Sequence, residues 1–77
     1  MIYSIEDIES IVASTKGTWV KRRNVRNKLK RESNSAVMEN IEICKAMIRD
    51  LRAMGAREEA LRHWYAQVTK YELMFLE

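Results

Sequence analysis

Between residues 16 and 31 stand Lys16, Lys21, Arg22, Arg23, Arg26, Lys28, Lys30 and Arg31, with no acidic residue among them. Guanidinium forks at this density grip phosphate oxygens in pairs, and lysines add point charge. Asn24, Asn27 and Thr18 are interleaved with them and can hydrogen-bond a nucleic-acid backbone or base edges. Trp19 at the rim can stack on an unpaired base. The block therefore points to anion recognition. The first expectation is the phosphate backbone of DNA or RNA, held by Lys21, Arg22, Arg23, Arg26, Lys28, Lys30, Arg31 and Trp19. Neutralising about six phosphates sets a log–log salt slope near about −5 on duplex DNA.

Two rivals follow from the same charge. One is a regulatory adaptor or inhibitor, of the kind a virus or mobile element encodes, that docks on an acidic protein surface. The other is capture of a phosphorylated small ligand between subunits. A basic face that is merely solvated, and partly balanced by Glu6, Asp7 and Glu9, competes with all three.

Other chemistry finds little support. His63 is the single histidine, and Glu59 four residues earlier offers a carboxylate–imidazole pair. No serine or cysteine stands at a spacing that completes a nucleophilic triad, so the chain reads as non-enzymatic. One cysteine and one histidine do not supply the three or four ligands of a metal site, and no glycine-rich phosphate loop is present. No metal and no cofactor is expected. Cys44 falls on an apolar seam and reads as a buried, inert thiol.

The elements that must position the basic block follow from composition. A chain of 77 residues and 9.1 kDa holds one small domain, 1–77. With no proline and two glycines it is built for helix, and the predicted class is all-α. One cysteine excludes an internal disulfide, and 47% apolar residues exclude a disordered tail. No apolar run approaches the roughly 20 residues that span a bilayer, and no leader pattern opens the chain. The expectation is a soluble, cytoplasmic protein with no membrane partner.

Ser4 predicts the N-cap of a short helix ending at Gly17, with Glu6 and Asp7 in its first turn and Ile5, Ile8 and Val12 as its stripe. Residues 18–32 favour helix but show no single apolar stripe, because Arg22 and Arg26 intrude between Trp19, Val25 and Leu29. No helix with a clear apolar back and polar front can be picked out, so no recognition helix is expected. Ser33, Asn34 and Ser35 predict a cap and a break, which the helix could also run through.

From residue 35 to 77 the pattern predicts a long antiparallel helical hairpin. Val37, Ile41, Cys44, Ile48 and Leu51 form one seam, and Leu61, Trp64, Val68, Tyr71 and Phe75 the other, both stepping by three and four. Folding the chain back at Gly55 sets Ile48 against Trp64 and Cys44 against Val68. Met38, Met47, Met54, Tyr65, Leu73, Met74 and Leu76 widen the stripes beyond what one partner covers. The expectation is a homo-oligomer, most simply a dimeric helical bundle.

Overall fold

The computed structural model describes Met1–Glu77 as three helices and no strand. Helix α1 spans Ile5–Ser14, α2 spans Trp19–Ala53 and α3 spans Glu58–Glu72. The architecture is thus all-α, and no helix is long and apolar enough to cross a membrane.

Local chemistry accounts for each boundary. Ser4 and Asp7 form a reciprocal capping box: the Ser4 hydroxyl accepts from the Asp7 amide at 3.1 Å, and the Ser4 amide donates to the Asp7 carboxylate at 3.3 Å. Helix α1 ends at Ser14, before the glycine expected to stop it. Gly17 instead sits in the link to α2 with φ +132°, where an added Cβ would lie 2.7 Å from Lys21 Cδ. Thr18 caps α2 by accepting from the Lys21 amide. At the far end Gly55, with φ +72°, ends α2 in a Schellman arrangement. The Ala56 amide donates to Leu51 and the Gly55 amide to Arg52. Helix α3 begins without a side-chain cap at Arg57, as the weak capping residues there imply.

The largest departure from expectation is at Ser33–Ser35. The helix passes through without a break, so the basic segment and the first hairpin helix are one element of 35 residues, about 52 Å long. Ser33 and Asn34 do not cap a helix because they hold the distant segments at Tyr3 and Leu76. The Ser33 hydroxyl accepts from the Tyr3 amide at 2.9 Å and donates to the Tyr3 carbonyl at 3.2 Å. The Asn34 side chain brackets the Leu76 backbone in the same way, accepting from its amide and donating to its carbonyl, both at 2.7 Å. A side chain already bonded to distant backbone has no reason to compete with its own helix.

The two shorter helices therefore lie end to end along α2 and meet at its middle. Helix α1 runs opposite to the first half of α2, since Tyr3 meets Ser33, Glu9 meets Arg26 and Thr15 meets Arg22. Helix α3 returns beside the second half, bringing Leu76 to Asn34. The result is a rod two helices thick, 56 × 16 × 16 Å, with a radius of gyration of 16.8 Å. A globular chain of this length would have a radius near about 11–12 Å.

One stripe of α2 faces both partners. Arg26, Leu29, Ser33, Val37, Ile41, Cys44, Ile48 and Leu51 are buried or half-buried in sequence along it. The core consists of Ile8, Val12, Val37, Ile41, Cys44 and Ile48, with Ser33 as its one polar member. Of the second seam, Leu61, Trp64, Val68 and Tyr71 are half-buried. Phe75 is 38% exposed, because α3 stops at Glu72 and the seam ends with it.

Candidate anion-binding surface

The first half of α2 presents the basic block as a bare helix with α1 behind it. Val25 and Leu29 are half-buried against α1, whose Ile8 and Val12 are buried. The arginine that interrupts this small stripe is neutralised in place. Arg26 Nε donates to Glu9 Oε1 at 2.7 Å, and a second guanidinium nitrogen donates to Glu9 Oε2 at 3.0 Å. This two-point contact to Arg26 holds the Glu9 carboxyl below the usual carboxylate range, against a smaller opposing effect of desolvation. Arg26 is held correspondingly higher by the same contact.

Two further members of the block are engaged by main-chain oxygens. Arg22 Nε donates to Thr15 O at 3.1 Å, near the C-terminal end of α1, where a cation complements the unpaired carbonyls. Lys30 donates to Glu77 O at 2.9 Å and is half-buried. Arg23 lies over the Trp19 ring, 5.2 Å from its centroid, so one face of this 70% exposed indole already carries a cation. Lys21, Lys28 and Arg31 are exposed and bond no group of the protein.

The eight candidates therefore divide by the carboxylates within reach. Arg26 is paired with an acid and belongs to the packing of α1 on α2. Arg22 and Arg23 have neutral contacts that leave their charge uncompensated, whereas Lys30 contacts Glu77 and its charge also helps to hold the Glu9 carboxyl down. Lys21, Lys28 and Arg31 face solvent alone. Trp19 is placed at the start of the same helix, beside Arg23.

Asn24, Asn27, Lys30, Arg31 and Asn34 line one open concavity of about 560 Å³, which the chain closes with Leu76 and Glu77. Asn34 is committed to Leu76, whereas Asn24 and Asn27 are exposed and bond nothing. The role of Glu9 was not apparent from composition, where it counted only as one of three diffuse acids. The signal for it was the seam of Val37 and Ile41, which reads backward in steps of three and four through Ser33 and Leu29 to Arg26. A charged residue on a buried stripe requires an opposite charge facing it.

Elsewhere His63 stands edge-on to Trp64 at 5.4 Å and takes no carboxylate. Its neighbour Arg62 pairs with Glu58 at 3.2 Å across one exposed turn. Cys44 is free and 4% exposed.

No protein-family model, no curated protein and no solved structure gives a significant match to this chain.

Proposed function

We propose that this is a non-enzymatic binding protein that uses the first half of α2 to contact the phosphate backbone of a nucleic acid. The observation that carries this reading is the pairing pattern along the basic block. Only Arg26 pairs with a side-chain carboxylate, and the stretch from Trp19 to Arg31 contains no acid of its own. Uncompensated cations on an exposed, continuous helix repel one another and gain from an external polyanion.

Self-association is part of the proposal. Helix α3 has no fully buried residue, and Ile43, Met47 and Tyr65 are 58%, 39% and 45% exposed. A second copy that covers these side chains would enlarge a core of six apolar residues and join two basic helices in one dimeric bundle. The two seams, expected to set Ile48 against Trp64 and Cys44 against Val68, would serve as its scaffold. Docking on an acidic protein surface remains the rival, and the experiment separates the two.

The test is fluorescence anisotropy on the whole chain with an unselected duplex, titrated with salt. With Lys21, Arg23 and Lys28 as the phosphate contacts, the expected log–log slope is about −2.7, shallower than a count of the whole basic block implies. Replacing those three by alanine removes binding. Arg26→Ala lowers the melting temperature instead, because it leaves Glu9 without a partner. Absence of binding by the folded wild type at low salt overturns the proposal, and retention of one acidic protein by nuclease-treated chain points to the rival.

A further inference from the structure

The exposed side of α2 opposite α1 has an order that the charge count hides. Val20, Asn24, Asn27 and Arg31 follow one another at spacings of four, three and four residues, which is one stripe of an α-helix. All four are exposed, and the last three line the same concavity. Lys21 and Lys28 run along one side of this stripe, one heptad apart. Arg23 and Lys30 run along the other, again one heptad apart. Hydrogen-bonding side chains thus occupy the centre of the face and cations occupy both margins.

We infer that this stripe reads base edges in the major groove of duplex DNA, with Asn24, Asn27 and Arg31 as the reading residues. The inference rests on the phosphate-binding reading above and adds sequence specificity to it. Three observations support it. First, Asn24 and Asn27 stand in a helix interior that asparagine does not favour, and neither bonds any group of the protein, unlike Asn34. Asparagine pairs in two-point fashion with adenine, arginine does so with guanine, and an apolar side chain such as Val20 meets the thymine methyl.

Second, the apolar back that the sequence pattern lacks is supplied by packing. Val25 and Leu29 turn toward α1 and Glu9 cancels Arg26, so the opposite side faces outward, bordered beside Lys30 and Asn34 by Leu76 and Glu77. The rod is only 16 Å across in either short direction. A helix about 10–12 Å wide fits the B-form major groove of about 12 Å, while the deep, narrow groove of A-form RNA excludes it. Third, the flanking cations lie where two phosphate strands border such a groove. Asn24 to Arg31 spans about 10.5 Å along the helix, or about three base pairs.

The test selects the full chain against duplexes with a random core of about ten base pairs, then compares the enriched duplex with a scrambled one at about 0.15 M salt. The expected preference is about 100-fold or more. Asn27→Ala, an exposed change toward a better helix former, should lower affinity for the enriched duplex about tenfold and leave the scrambled one unchanged. Lys28→Ala should weaken both equally and flatten the salt slope by about 1. Equal binding of both duplexes overturns the inference and leaves the backbone reading standing. So does an Asn27→Ala loss that is the same on both duplexes, or a preference for hairpin RNA. Failure to bind any nucleic acid removes both.

Discussion

Arg26 carries a charge of the same sign as its neighbours and serves a different purpose. Its fork meets Glu9 in two hydrogen bonds at 2.7 and 3.0 Å, half in solvent, and the pair fixes where α1 sits on α2. The contact makes stability depend on pH in one direction. The Glu9 carboxyl is held below its ordinary range by Arg26. Its contribution is therefore complete above the unfolded carboxylate value and is lost as the pH falls through the lower folded value. Comparing melting temperatures of wild type and Glu9→Gln should give a constant gap from about pH 7 to about pH 5, closing toward about pH 3. A gap that persists unchanged in acid would mean that shape, not charge, makes the contact. Exposure keeps the effect small, and salt should shrink it.

At the scale of elements, the middle of α2 joins what would otherwise be two weakly connected helix pairs. Ser33 is wholly buried and bonds the backbone amide and carbonyl of Tyr3, while Asn34 bonds those of Leu76. Helix α1 has ten residues and could not persist alone in water. Ser33→Ala strands a partly buried amide and carbonyl, and should cost about 1–2 kcal/mol by urea denaturation. For a domain of this size that is about 4–16 °C in melting temperature. Ser35→Ala, one step away but exposed, should be neutral to within about 0.5 kcal/mol. Equal effects at the two positions would remove the clasp from the account. The three short polar residues were legible as a feature, yet their local reading, a helix cap, was the wrong one. Serine and asparagine near a helix serve capping or distant backbone equally well, and only the position of Tyr3 and Leu76 decides between them.

The whole molecule is long and thin, and this shape has its own consequence. Seven of 77 residues are buried, so the rod offers much lateral surface for little interior. On the proposed self-association, sedimentation at micromolar concentration should return twice the chain mass of 9.1 kDa. The melting temperature should also rise with protein concentration. Ile43→Asp, at a 58% exposed position, should yield a monomer that melts at a concentration-independent temperature. A wild-type chain that sediments as a monomer throughout, with no concentration dependence, defeats the dimer. The two seams were legible because a period of three and four residues is a property of the chain itself. Their ends were less so: Phe75 continues the period but lies past Glu72, where α3 has stopped.

Helical class, the apolar stripe from Val37 to Leu51 and the isolation of positive charge between residues 16 and 31 follow from residue order alone, since periodicity and charge count need no partner. Where that stripe continues is a tertiary matter. Leu29 and Arg26 extend it only because α1 brings Ile8, Val12 and Glu9 to them from up to 21 residues away in the chain. The same packing turns a helix charged on every side in its sequence pattern into one with a neutralised back and an outward-facing front. Charge is written in the sequence, but whether a charge is spent or free depends on which carboxylate folding brings within a few ångströms of it.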